Sequence, residues 1–130
     1  MRRRLTKVLG LATVVTTAAL VTIPATFAKD GDVLVRGTCT GPSSNKLKLS
    51  EEDGRIEVEF EVDQNRNGVR WNVVLRRPST VLVRATRVTR GPSGSFELRR
   101  VVADLAGSDR ITARATRASG EVCSVTATFG

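Results

Sequence analysis

The chain has 130 residues, with 21 Lys+Arg against 13 Asp+Glu, no His, no Tyr and 4% aromatic residues. That length leaves room for one domain rather than two. The absence of His removes the commonest general base, the commonest zinc ligand and every His-based triad, and so few rings argue against a large aromatic-lined pocket.

In chain order, Arg2, Arg3, Arg4 and Lys7 make a positive start, and Val8 to Ile23 is an apolar run diluted by Thr13, Thr16, Thr17 and Thr22. Pro24 ends the run, and Thr26-Phe27-Ala28 supplies small residues at the −3 and −1 positions of a cleavage site. This order predicts a secretory signal peptide over 1–28, helical in its apolar part, cleaved after Ala28. The run falls short of the roughly 20 apolar residues of a membrane span. Arg2-Arg3-Arg4-Leu5-Thr6-Lys7 partly resembles a twin-arginine signal, but Leu5 replaces the usual Phe, which favours the general secretory route. Cys39 follows Arg36-Gly37-Thr38, which is no lipobox, and Phe129-Gly130 carries no sorting signal. The expected product is a secreted, extracellular protein with no membrane attachment after cleavage.

Residues 29–130 would then number 102 and carry net +4, because all four signal charges are positive. At 40% hydrophobic residues the chain is within the globular range. The two cysteines, Cys39 and Cys123, stand 84 residues apart. An even count in an exported chain reads as a disulfide, and closing such a span stabilises by about 4 kcal/mol. Residues 29–130 therefore read as a single disulfide-closed domain. Two sulfurs without His make a poor metal site, and no cofactor is expected.

Apolar residues alternate with polar ones along most of this stretch, the period of a strand with one face buried. Asp32 to Cys39 and Lys46 to Ser50 read as two shorter strands linked by Gly41-Pro42-Ser43-Ser44. From Arg55 to Asp63, Ile56, Val58, Phe60 and Val62 alternate with Glu57, Glu59, Glu61 and Asp63. Val69, Trp71, Val73 and Leu75 form the next apolar face, then Val81, Val83 and Ala85 against Leu82, Arg84 and Thr86. Phe96, Leu98 and then Val101 or Val102 follow, with a bulge expected near Arg99-Arg100. Ile111, Ala113 and Ala115 come next, and Cys123, Val125, Ala127 and Phe129 close the series. Turn signals separate the runs: Asp53-Gly54, Asn67-Gly68, Arg77-Pro78-Ser79, Gly91-Pro92-Ser93-Gly94, Ala106-Gly107-Ser108 and Ser119-Gly120. Seven to eight such strands predict an all-β, antiparallel sandwich.

From Lys46 to Phe129 the chain resembles immunoglobulin-like and fibronectin-III-like sandwiches. Trp71 sits where such domains place the core tryptophan of their third strand, and Leu105-Ala106-Gly107-Ser108-Asp109 is similar to the Leu-x-Pro-Gly-Thr-Glu lead-in to their penultimate strand. Segments such as Gly54-Arg55-Ile56-Glu57-Val58, Ser93-Gly94-Ser95-Phe96-Glu97 and Gly120-Glu121-Val122-Cys123 resemble small secreted proteins of high-GC Gram-positive bacteria. The resemblance implies a fold and no activity. The corner tyrosine of the immunoglobulin fold is replaced by Arg110 or Ile111. Cys39 precedes the second strand of such a fold, so its bridge should tie an N-terminal segment to the last strand.

Chemistry-bearing patterns are sparse. Asp63-Gln64-Asn65-Arg66-Asn67-Gly68 matches the first half of a calcium loop, D-x-[DN]-x-[DN]-G, but Val74 stands where the bidentate Glu is required and Arg66 puts a positive charge inside. Asn67-Gly68 between alternating runs reads instead as a hairpin turn. Glu51-Glu52-Asp53 is a solvated turn rather than an acid-base pair, since general acid-base work needs carboxyls facing across a pocket. Lys29, Lys46 and Lys48 accompany no nucleophile motif. An enzyme is not expected.

Charge placement is more informative. Lys29 to Asn65 holds 5 basic and 9 acidic residues, whereas Arg66 to Arg117 holds 12 basic and 3 acidic. In an immunoglobulin-like sandwich the acidic strand Arg55 to Asp63 lies in one sheet, and Arg70, Arg76, Arg84, Arg110 and Arg114 point outward from the other. One face is then expected to be acidic and the other basic, the latter offering guanidinium forks to phosphate or carboxylate. These five arginines are the candidate binding residues, and an anionic cell-wall polymer or another protein is the candidate partner. Nucleic acid is not expected outside the cell, and the protein is expected to be a monomer. The alternative is a secreted inhibitor acting through an exposed loop, Gly91 to Ser95.

Overall fold

A computed structural model describes residues 10, 12–15 and 31–130, so the expected signal peptide falls almost entirely outside the described residues. The rest is all-β: β1 (Val33–Arg36), β2 (Thr38–Cys39), β3 (Ser44–Glu52), β4 (Arg55–Asp63), β5 (Arg70–Arg77), β6 (Thr80–Val88), β7 (Ser95–Ala103), β8 (Asp109–Arg117) and β9 (Val122–Phe129). They form a four-stranded sheet, β1-β3-β4-β7, and a five-stranded sheet, β2-β9-β8-β5-β6, with every pairing antiparallel. Strands β3 to β9 are the immunoglobulin-like sandwich, three strands facing four, and β1 and β2 add one strand to each sheet.

The alternation read from the sequence becomes the core. Ile56, Val58, Phe60 and Val62 of β4 are fully buried and face Trp71, Val73 and Leu75 of β5 and Ile111, Ala113 and Ala115 of β8. Each such large side chain stabilises by about 1.5–3 kcal/mol on burial. Trp71 lies in the third of the seven sandwich strands and is completely enclosed. Its ring meets Phe96 at 6.1 Å between centroids, and its Nε1–H donates to Gln64 Oε1 at 3.0 Å, so its one polar atom is satisfied.

Four sequence expectations need correction. Asp32 to Cys39 is not one strand, because the chain leaves the four-stranded sheet after β1 and joins the five-stranded sheet as β2. Gly37 makes the crossing possible: a Cβ there would lie 2.2 Å from Asn45 Oδ1 and 2.3 Å from the Ser124 carbonyl oxygen. Asn67-Gly68 does not close a hairpin. It lies in a corner that carries the chain from β4 in one sheet to β5 in the other. The pairing of β7 with β4 is unbroken through Arg99 and Arg100, and the register shift falls instead opposite Leu75/Arg76, where β6 inserts Leu82. The insertion turns Leu82 onto the core and leaves Val81 36% exposed, reversing the expected faces of those two residues.

Cys39 and Cys123 are bonded, directly opposite one another on β2 and β9 with Cα atoms 4.0 Å apart. The bridge ties the N-terminal segment to the last strand, as expected, and lies within one sheet rather than between the two.

Candidate functional site

The outer surface of each sheet is built by the polar half of the same alternation. On the five-stranded sheet, Arg70 and Arg76 of β5, Arg84 of β6, and Arg110 and Arg114 of β8 are all exposed on strands whose inward residues form the core. The structure thus brings all five predicted arginines to one face. Their cross-strand neighbours are neutral: Arg70 opposes Val88, Arg84 and Arg114 both oppose Val74, Arg76 opposes Val81 and Thr112, and Arg110 opposes Thr128. Among the described residues none of the five has a carboxylate within 4.0 Å. Threonines fill the positions between them, with Thr112 and Thr126 hydroxyls 2.8 Å apart. A guanidinium with no carboxylate beside it keeps its forked donors free for an external anion.

The opposite face is not the acidic face expected. Glu57, Glu59, Glu61 and Asp63 point outward from β4, with Glu52 of β3 and Glu97 of β7 beside them, but Arg36, Lys46, Lys48, Arg55 and Arg99 share that surface, five cations among six acids. The register sets Lys46 opposite Glu61 and Lys48 opposite Glu59, and these pairs close at 3.7 and 3.6 Å. Arg99 donates to Glu57 at 2.6 Å. That hydrogen bond holds the Glu57 carboxyl at about 2, against an ordinary 4.5. Glu59 moves the other way, raised by burial and by the charge of Glu57. The face is mixed and self-neutralising because β3, which pairs with the acidic strand, supplies lysines at matching positions.

Two ion pairs beneath these faces escaped sequence reasoning. Arg77, inward-facing beside the outward Arg76, donates to buried Asp109 at 3.0 Å and also to the Ala103 carbonyl, clamping the β7–β8 crossing. Glu121, 5% exposed, accepts from Ser43 N at 3.0 Å, Ser43 Oγ at 2.9 Å and Arg117 Nε at 2.9 Å. Arg117 in turn lies over the Trp71 ring, 5.6 Å from its centroid. Burial opposes ionisation of Glu121, but the three donors outweigh it and hold the carboxyl below the usual range. The Arg117–Glu121 spacing across the β8–β9 turn was visible in the sequence; Ser43, 78 residues away, was not a local signal.

The remaining candidates are tied into the fold. Asp63 Oδ1 accepts from Asn65 N at 3.0 Å, Gln64 Oε1 from Trp71, and the Arg66 carbonyl from Thr89 Oγ1 at 2.6 Å, so the oxygens of the calcium-like segment serve the corner. Glu51 Oε1 accepts from Gly54 N at 2.7 Å, capping the Asp53-Gly54 hairpin turn, where both residues have positive φ. Gly91 to Ser95 is a tight corner between β6 and β7: Arg90 and Ser95 pair, and Gly94 is buried, its carbonyl accepting from Gln64 N at 3.0 Å. A Cβ on Gly94 would lie 2.2 Å from Arg66 N. A groove of about 490 Å³ opens between β6 and β7, lined by Arg87, Arg90 and Phe96 and holding one carboxylate, Glu97.

Comparison with protein-family models, curated proteins and solved structures finds no match to this chain.

Proposed function

We propose that this is a secreted, non-enzymatic binding module that holds an anionic cell-envelope polymer against the outer face of its five-stranded sheet. The observation that carries the reading is the set of five exposed arginines, Arg70, Arg76, Arg84, Arg110 and Arg114, that have no acidic partner among the described residues. Unpaired guanidinium groups on a rigid sheet attract anions without first breaking an internal ion pair. Export fits the bonded Cys39–Cys123 pair, since disulfides persist in oxidising compartments. A non-enzymatic role fits a chain without His, the commonest general base, and a groove whose one carboxylate, Glu97, stands among arginines. The sheet is favoured over the inhibitor loop because the Gly91 to Ser95 corner, with Gly94 buried, has little reach into a partner's cleft.

The test is retention of the purified protein on an immobilised anionic wall polymer at low and raised salt. Retention should fall at least tenfold between about 50 and 200 mM salt, the behaviour of a binder making several anion contacts. Replacing both Arg84 and Arg114 by Ala should abolish most retention while the fold persists. Retention unchanged in that folded double variant sinks the reading.

A further inference from the structure

Resting on the reading above, the register assigns a path to the polymer and a chemistry to its charges. Arg84 of β6 opposes Val74 of β5, and Arg76 lies two residues beyond Val74 on the same face. Arg76 opposes Thr112 of β8, and Arg110 lies two residues further in the same direction. Each step moves one strand across and two residues along, so Arg84, Arg76 and Arg110 stand on one straight diagonal. With strands about 4.8 Å apart and two residues advancing about 6.7 Å, each step is about 8 Å and the line about 16 Å. Arg114 flanks it, one strand from Arg76 on the β8 side. Arg70 does not belong to it: Asn72 and Val74 separate it from Arg76 on β5, and Val88 is its neighbour on β6.

We infer that Arg84, Arg76 and Arg110, with Arg114 at the side, form a linear track for a phosphodiester polymer, and that Arg70 lies outside it. A phosphodiester presents two terminal oxygens to a guanidinium fork and keeps its charge at pH values where carboxylates take up protons. The Thr112 hydroxyl, directly opposite Arg76 and between Arg110 and Arg114 along β8, shares a hydrogen bond with Thr126, and when Thr126 donates in that pair the Thr112 proton is an uncharged donor to the same oxygens. Spacing agrees as well. A three-carbon diol phosphate repeat has six backbone bonds and extends about 7 Å, on the scale of about 3.5 Å for the three bonds of an extended residue. The extended repeat is about 1 Å shorter than the step, a difference the long arginine side chains take up by leaning along the line, so successive phosphates reach successive arginines when the polymer is nearly extended. The one acid on the five strands of this sheet, Asp109, is buried and held by Arg77, so no carboxylate of these strands competes for the guanidinium groups.

The probes are synthetic oligomers of propanediol phosphate with two, four and ten phosphates, and an alternating Glu-Gly peptide whose carboxylates repeat at about 7 Å. Binding is measured by calorimetry on the disulfide-bonded protein. The four-phosphate oligomer should bind at least tenfold more tightly than the two-phosphate one, and several-fold more tightly than a Glu-Gly peptide of equal charge. For that oligomer Arg76→Ala should weaken binding about tenfold and Arg70→Ala less than twofold, although both remove one charge. Melting temperatures within about 2 °C of the parent show that the variants are folded. Equal losses from the two variants, or affinity that tracks charge number alone, overturn the track while leaving polyanion binding standing. Equal binding of the Glu-Gly peptide overturns the phosphodiester. Failure of every oligomer to bind at low salt overturns the proposed function itself.

Discussion

The two outer faces carry similar numbers of cations and differ in how many of them have a carboxylate alongside. On the four-stranded sheet Lys46 and Lys48 each have a glutamate of β4 directly opposite and within 4.0 Å, and Arg99 reaches diagonally to Glu57, whereas Arg36 and Arg55 have no carboxylate within 4.0 Å among the described residues. On the five-stranded sheet the five arginines face Val, Ser and Thr across their strand pairs. The lesson concerns pairing rather than charge count. An arginine already bonded to a carboxylate contributes to the sheet, whereas one opposite valine leaves its donors to solvent or ligand. The same division runs through adjacent residues, since Arg76 points out unpaired and Arg77 points in against Asp109.

Substitution separates the two roles most strongly at that neighbouring pair. Arg77→Ala leaves a buried carboxylate without its cation and should cost about 3 kcal/mol or more, read from denaturant midpoints. Arg76→Ala, one residue away, should change stability by no more than about 0.5 kcal/mol. Similar costs for the two would mean that the outward arginines are structural and the division is wrong.

Glu121→Ala should cost nearly as much as Arg77→Ala, about 2–3 kcal/mol, because it strips the partner from Arg117 and the acceptor from both Ser43 donors. Gly41 sharpens the point. A Cβ there would lie 2.5 Å from Glu121 Oε2, so Gly41→Ala should reproduce part of the loss without touching a charge. Thermal melts of the two single variants and the double decide it, since losses that simply add would show that Gly41 and Glu121 act independently.

What could be read in the sequence divides by range. The strands β4, β5, β8 and β9, the buried Trp71, the Cys39–Cys123 bridge and the side on which the five arginines lie followed from alternation and cysteine count, which are local or unambiguous. Sheet membership was not local. Asn67-Gly68 has the chemistry of a hairpin turn, but nothing nearby says that the next strand belongs to the other sheet. The mixed character of the four-stranded face was missed for the same reason, because it depends on which strand lies beside β4, and β3 brings Lys46 and Lys48. Val81-Leu82-Val83 is apolar throughout, so its inward residue could not be assigned from pattern alone. Arg99-Arg100 suggested a bulge, but β7 is an edge strand and tolerates Arg100 exposed on the inward row between Leu98 and Val102. Gly37 did carry a signal, since glycine inside a strand often marks a bend or a close approach.

Acid should weaken the paired face before it affects the arginines. Glu57 is held at about 2 by Arg99, and Glu121 is also held below its ordinary range. Both folded values lie below the unfolded ones, so the stability they contribute is fully present above about pH 4.5 and is lost as pH falls through the folded values, about 2 for Glu57. Glu59, raised by burial and by Glu57, takes up its proton first and partly offsets the loss by relieving that repulsion. Denaturant midpoints should therefore change little from pH 7 to about 4.5 and drop below that. Arg99→Ala should flatten part of the drop; an unchanged profile in that variant would remove the Arg99–Glu57 pair from the account.

The smallest effect tests whether pairing is what separates the faces. Glu59→Gln with Glu61→Gln removes the acidic partners of Lys48 and Lys46, which are partly exposed. Exposed pairs are each worth about 0.2–1 kcal/mol, so the double variant should lose no more than about 1 kcal/mol. Asp32 still holds Lys48 at 3.7 Å, which leaves Lys46 as the newly unpaired cation, across from Arg36 of β1. In a background where Arg84→Ala and Arg114→Ala have silenced the other sheet, these two substitutions should restore a few-fold of salt-sensitive retention on an anionic polymer. The gain should stay well below the retention of the parent protein, because an ammonium group is a point charge without the guanidinium fork. No gain at all would mean that freeing a cation is not enough, and that the ordered arginines of the five-stranded sheet, rather than the absence of acids beside them, make that face different.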